Sequence, residues 1–251
     1  FDIKHEALSI AEKNIIKSLD KGVEKGKITE KDAEKAKSRI SFTQNVRELE
    51  CEVIIEAVVE NLEIKVELLK QLEKLNENKA ILASNTSSIP ISRIASKLES
   101  PDNVVGMHFF NPAHIMKLVE VISGAGTSDE TAKTISELAK KMKKTPVMVK
   151  DSPGFVVNRV ARHYYVESLK IIEEGVAEHE DLDILMESFG FRMGPFRLMD
   201  LIGVDTNFSV TKTMYEAFHQ DSKFRPSRVQ EQKVDAGHWG KKTGRGFYDY
   251  S

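Results

Sequence analysis

Cysteine is nearly absent from this chain: Cys51 stands alone among 251 residues. A lone thiol excludes an internal disulfide and a cysteine-built metal cluster, and it points to a reducing, cytoplasmic setting. No apolar run reaches the ~20 residues that a membrane-spanning helix needs. Excess charge is missing too. Lys and Arg total 37 against 39 Asp and Glu, a net −2 that gives no reason to expect nucleic acid or an anionic membrane as partner. GxGxxG, P-loop, HExxH and GxSxG patterns are absent, as is any paired metal-ligand spacing, so no metal site is expected. The opening FDIKHEALS has neither a basic n-region nor an apolar h-region and is no signal peptide. It reads as the end of a strand running into a helix, from which we expect a segment preceding Phe1.

What is present is ordinary for a globular protein, with 40% hydrophobic and 30% charged residues and length for one or two domains. Residues 4–21 carry Leu8, Ala11, Ile15 and Leu19 at helical spacing, with Gly22 placed to end the helix. A second helix is expected over 30–39 with Thr29 as its N-cap. VIIEAVVE reads as a buried strand and NLEIKVELLKQLEKL as a helix. ILASNTSS is a strand with a polar exit into ISRIASKL. VVGMHFF, MKLVEVI and TPVMVKD read as strands, and TSDETAKTISELAKKM as a helix. Strand alternating with helix predicts an α/β domain with a largely parallel sheet. After DSPGF the patterns turn helical: VVNRVARHYYVESLKIIEEG, HEDLDILMESFG and PFRLMDLIGVDTNFSVTKTMYEAF. The division is therefore set at 150, with an α/β unit over 1–150 and an all-helical unit over 151–251.

Two apolar strands each carry one ionisable residue. Alternation puts His108 on one face with Val104, Gly106 and Phe110, and Glu120 on a face with Met116, Leu118 and Ile122. A carboxylate on an apolar face needs a partner. A short turn around 113–115 sets 108 opposite 120 in an antiparallel register, so the two are predicted to pair. Such a pair either pins a hairpin or holds an imidazole for proton exchange, and pattern alone weighs these evenly. In ASNTSS, Ser88 reads as the cap of a helix starting near Ile89, while Ser87 sits where α/β sheets bind ligands. Glu56, Glu60 and Lys65 flank a strand exit and read equally well as a solvated helix start. Asn158 is expected one turn inside a helix, where Asn is a mediocre former.

ASNTSS, GMHFFNPA, MKLVEVI, DSPGFVVNR, MGPF with LMDLIG, and GKKTGRGFYDY follow one another here. In that order they resemble the L-3-hydroxyacyl-CoA dehydrogenases, in particular the 3-hydroxybutyryl-CoA dehydrogenase group. The resemblance implies a Rossmann-type domain, a helical dimerisation domain, NAD as cofactor and an acyl-CoA substrate. It implies that His108 is the catalytic base and Glu120 its orienting carboxylate. Ser87, Asn158 and Asn111 fall on substrate contacts, and Ser18 and Lys25 on positions that hold CoA. Asp2, Glu60, Lys65, Ser87, Asn111 and Lys242 fall on cofactor contacts, an acid at Asp2 favouring NAD over NADP. The family's first strand, glycine-rich turn and first helix would precede Phe1. ARHYYVESL also resembles the branch acting on dicarboxylic acyl-CoAs, such as 3-hydroxyadipyl-CoA dehydrogenase. There Arg162 would meet a distal carboxylate or stand as a surface helix charge. A non-catalytic acyl-CoA-binding relative is the third reading, and His114 is left without a role.

Overall fold

The computed structural model describes residues 1–250. A helical hairpin comes first: α1 (His5–Glu24) and α2 (Glu30–Lys37). Helix α1 runs through Gly22 and stops instead before Gly26, whose φ of 62° supplies the left-handed turn. Gly22 has a different task. A Cβ there would lie 3.2 Å from Ile28, so the small residue lets the hairpin close. Thr29 caps α2 as expected, its hydroxyl oxygen accepting the Asp32 N–H at 3.1 Å.

The sheet follows: β1 (Val53–Glu56), α3 (Leu62–Leu75), β2 (Ile81–Ser84), α4 (Ile91–Ala95), β3 (Val104–Phe109), β4 (Leu118–Ser123), α5 (Asp129–Lys141) and β5 (Thr145–Lys150). The five strands stand in chain order; β1–β2, β2–β3 and β4–β5 are parallel, and β3–β4 is antiparallel. β3 and β4 are joined by a turn too short for a crossover, which forces their antiparallel pairing. Leu69, Leu72, Ile91 and Ile94 cover one face of the sheet, and Ile135 and Ala139 of α5 cover the other. A strand buried on both faces reads as a continuous apolar run, as β3 and β4 do.

The C-terminal unit holds α6 (Val157–Glu173), α7 (His179–Ser188), α8 (Pro195–Ile202), α9 (Val204–Ala217) and α10 (Arg228–Asp235). The expected single run from Pro195 to Phe218 divides at Gly203, whose φ of 106° no helix accommodates. Tyr165, Leu169, Leu182, Phe196, Met199, Val204 and Phe247 form its core. Two buried aspartates tie it together. Asp183 accepts the N–H groups of Phe196 and Arg197 and the Tyr248 hydroxyl, and Asp200 accepts those of Phe247 and Tyr248.

Candidate active site

His108 and Glu120 are register partners across β3 and β4, as face parity predicted. His108 Nδ1 lies 2.8 Å from one carboxylate oxygen of Glu120, which is 1% exposed. The other oxygen accepts the N–H groups of Val156 and Val157, both at 2.9 Å. These are donors freed by the start of α6, so a helix N-terminus is turned onto a buried anion. Burial pushes the Glu120 carboxyl up, but His108 and the two amides together hold it below the ordinary glutamate value. Phe110 and Phe155 flank the imidazole, with ring centroids 4.6 and 5.8 Å away. No described residue hydrogen-bonds Nε2. One ring nitrogen is held and the other is left for a ligand.

The loop after β2 stands at the same edge of the sheet, where the carboxyl ends of β1, β2 and β3 lie side by side. Asn85 Oδ1 accepts the Phe109 N–H at 2.9 Å, locking this loop to the end of β3. Asn158 Nδ2 donates to the Ser87 carbonyl at 3.3 Å, so the α/β unit and the helical unit meet beside His108. Asn158 is the second residue of α6, not one turn inside it, and so escapes the interior penalty. Ser88 does not cap α4. That helix begins at Ile91, and the Asp151 carboxylate accepts the Ile91 and Ser92 N–H groups at 3.0 and 2.8 Å. The Ser88 hydroxyl donates to Glu60 instead.

Other sequence-derived candidates scatter. Asn111 is exposed in the β3–β4 turn with His114, and Lys144 pins that turn by donating to the carbonyls of Ala113 and Met116. Asp2 accepts the Lys4 N–H at 2.8 Å, and its own N–H meets the Thr43 carbonyl. Ser18 and Lys25 are exposed on the hairpin, the Ser18 hydroxyl donating to the Asn14 carbonyl. Lys242 is paired to Asp205, 2.6 and 2.7 Å from its two oxygens, within the helical unit. Lys65 is 1% exposed and is bound to Glu56 and Glu60, so it is no part of a solvated helix start.

Arg162 corrects an expectation. It is 3% exposed and so not a surface helix charge, and it donates to the Asn207 carbonyl, Asn207 Oδ1 and Thr211 Oγ1. Burial lowers it to about 10. The amides of Val156 and Val157 were not foreseen at all, and nothing in the residue types signals a backbone donor.

Residues 1–152 match the 3-hydroxyacyl-CoA dehydrogenase, NAD binding domain, and residues 154–250 match the 3-hydroxyacyl-CoA dehydrogenase, C-terminal domain. The chain is 44% identical over 252 residues to the probable 3-hydroxybutyryl-CoA dehydrogenase of Bacillus subtilis (strain 168), covering 100% of this chain and 88% of that one. It is 43% identical over 252 residues to the 3-hydroxyadipyl-CoA dehydrogenase of Escherichia coli (strain K12), where it covers all of itself but only 53% of the relative. The solved (S)-3-hydroxybutyryl-CoA dehydrogenase of Ralstonia eutropha superposes with a TM-score of 0.96 at 40% identity, covering 100% of this chain and 89% of that one. The fold is thus that of an NAD-dependent oxidoreductase. The chain belongs to the 3-hydroxyacyl-CoA dehydrogenase family.

The residues present fit NAD at two ends. Asp2, just before α1, offers a carboxylate of the kind that accepts ribose hydroxyls, and Val59, 63% exposed just beyond β1, offers an apolar surface. A glycine-rich pyrophosphate turn is not among these 251 residues.

Proposed function

We propose that the chain oxidises (3S)-3-hydroxyacyl-CoA thioesters of the 3-hydroxybutyryl type to 3-oxoacyl-CoA. The carrying observation is the imidazole of His108, fixed through Nδ1 by a buried carboxylate with Nε2 unclaimed. Bound NAD supplies the hydride acceptor. His108 Nε2 takes the hydroxyl proton of the substrate, and the imidazolium that results sits against Glu120, whose charge the α6 amides maintain. Ser87 and Asn158 orient the hydroxyl and the thioester, an arrangement supported by their mutual contact. Asp2, Asn111 and Lys242 are assigned to the cofactor, and Ser18 and Lys25 to CoA.

A second reading, a 3-hydroxyadipyl-CoA dehydrogenase, is supported by the Escherichia coli relative's 43% identity. NADH consumption at 340 nm decides between them. Faster turnover of acetoacetyl-CoA than of 3-oxoadipyl-CoA is expected, and the reverse order establishes the dicarboxylate reading. Binding of acyl-CoA without turnover of either establishes a non-catalytic relative.

We place the domain division at residues 150 and 151, and the protein in the cytoplasm, which its one exposed free cysteine suits. A homodimer through the helical unit is supported by exposed Val160, Ile184, Phe189 and Leu201, apolar surface that a partner would cover. Sedimentation as a monomer overturns it.

A further inference from the structure

The turn between β3 and β4 stands directly beside the imidazole. Phe110, where it begins, packs against His108 with ring centroids 4.6 Å apart. Residues 111–117 that follow are all exposed. Inside the turn, the Pro112 carbonyl accepts the N–H groups of Ile115 and Met116 at 2.9 and 3.0 Å. An exposed segment with so few bonds of its own keeps one conformation only if something outside holds it. Among the described residues, the hydrogen bonds that reach it from outside come from two neighbours. The Thr145 N–H meets the Lys117 carbonyl at the base, and the Lys144 side chain supplies the rest.

Lys144 itself stands on a rigid base. Helix α5 ends with Lys143 at a left-handed φ of 58°. The Lys143 N–H bonds the Lys140 carbonyl at 2.8 Å and the Lys144 N–H bonds the Ala139 carbonyl at 3.0 Å, the nested pair of a Schellman turn. The Lys144 main chain is therefore fixed by the helix end and by β5, independently of its side chain. From there its ammonium reaches the carbonyls of Ala113 and Met116, the second at 2.7 Å. One ammonium serves both acceptors, and a charged donor binds each more strongly than a neutral one would. Asn111 lies between two anchors. Upstream, the Phe109 N–H is held by Asn85; downstream, the Ala113 carbonyl is held by Lys144. No described residue hydrogen-bonds the Asn111 side chain, which leaves its amide for a ligand.

We infer that Lys144 is a positioning residue for the reaction: it holds the β3–β4 turn so that Asn111 meets the reacting centre beside His108. Lys144 acts through the main chain of the turn and not by contact with substrate. The inference rests on the assignment of Asn111 to the cofactor. Loss of the ammonium frees two carbonyls in an exposed turn, where water replaces the donor but ties nothing down. The fold therefore stands while the turn loosens.

Amide hydrogen exchange and turnover in the full chain test this. In Lys144→Met, exchange at Ile115 and Met116 should quicken about fivefold or more, while Val119 and Val121 in β4 keep their protection. With acetoacetyl-CoA and NADH, kcat should fall about fivefold or more. Lys144→Arg, which keeps the charge and several N–H donors, should recover most of both losses. Added to Asn111→Ala, Lys144→Met should cost less than about twofold further, because the residue it positions is already gone. Unchanged exchange at Ile115 and Met116 overturns the anchorage. Lost protection across β4 as well makes Lys144 a support of the whole sheet and overturns its particular task. So does faster exchange in the turn with undiminished kcat, or an equal loss of kcat with and without Asn111. A wild-type chain without turnover overturns the proposed reaction instead, and exchange alone then decides whether Lys144 holds the turn.

Discussion

Glu120 joins His108 to the first turn of α6. One oxygen faces His108 Nδ1 at 2.8 Å, and the other accepts two backbone N–H groups at 2.9 Å. The same carboxylate thus fixes the imidazole and anchors the helical unit beside it. Its two oxygens are not interchangeable, because one faces only donors from the main chain.

That asymmetry predicts the outcome of Glu120→Gln. The Gln carbonyl oxygen must face the Val156 and Val157 N–H groups, since an NH2 there would meet two donors. The NH2 then faces Nδ1 and makes it an acceptor, so the proton sits on Nε2 and the ring can no longer accept the substrate's proton. Turnover should fall on the order of 10²-fold or more with acyl-CoA affinity nearly unchanged. Steady-state kinetics with acetoacetyl-CoA, beside calorimetric binding, measure both. A near-normal kcat refutes the dyad.

Acid should loosen the fold through the same group. Glu120 and Glu60 titrate below the ordinary value of 4.5 when folded. Each depressed carboxylate adds stability that is fully present above its unfolded value and is lost as pH falls through the folded one. Urea midpoints should therefore hold from neutral pH down to the ordinary carboxylate range and decline below it. Glu120→Gln should decline less steeply, having one titrating group fewer. Equal acid slopes for the two proteins exclude Glu120 as a contributor.

The pairing of 108 with 120 was legible because alternation assigns faces and a short turn fixes register, both local properties. The α/β-to-helical change at DSPGF was legible for a similar reason, as period two gives way to 3.6. What was not legible depends on groups far apart in the chain. Asp151 caps a helix sixty residues earlier, displacing Ser88 from the capping role its neighbours suggested. Lys65 looked solvated because its two carboxylates, read as a helix start, turn inward only when β1 and α3 pack. Gly203 split an expected single helix, since the run of apolar residues conceals a positive φ.

Arg162 is predicted to be dispensable. Two of the three acceptors it uses have a second donor: the Asn207 carbonyl takes the Thr211 hydroxyl, and Asn207 Oδ1 takes Gln230 Nε2 at 2.9 Å; the third, Thr211 Oγ1, belongs to a hydroxyl that itself donates to Asn207. Its own Nε is buried without a partner. Exchanging a buried cation that has no carboxylate partner within the chain for an apolar side chain of similar length is neutral or stabilising, by about 0–2 kcal/mol. Arg162→Met should hold or raise the urea midpoint and leave the rate ratio of acetoacetyl-CoA to 3-oxoadipyl-CoA unchanged. A fall in that ratio's dicarboxylate arm alone would return Arg162 to substrate recognition.

GKKTGRGFYDY forms a tight clasp on Asp200. Gly240, with φ of 97°, lies against the Asp200 main chain, and a Cβ at Gly246 would overlap the Asp200 carboxylate. That carboxylate accepts the Phe247 and Tyr248 N–H groups at 2.9 Å and the Tyr250 hydroxyl at 3.0 Å, drawing Phe247 onto Phe196 in the core. Gly246→Ala must either push Asp200 aside, orphaning buried donors, or lift its own segment and Phe247 with it. Either way the cost should be about 2–4 kcal/mol. Urea unfolding followed by tyrosine fluorescence should show it as a lower midpoint. Exchange at Phe247 and Tyr248 should quicken, whereas the amides of β3 and β4, which Asp200 does not touch, keep their rates until global unfolding.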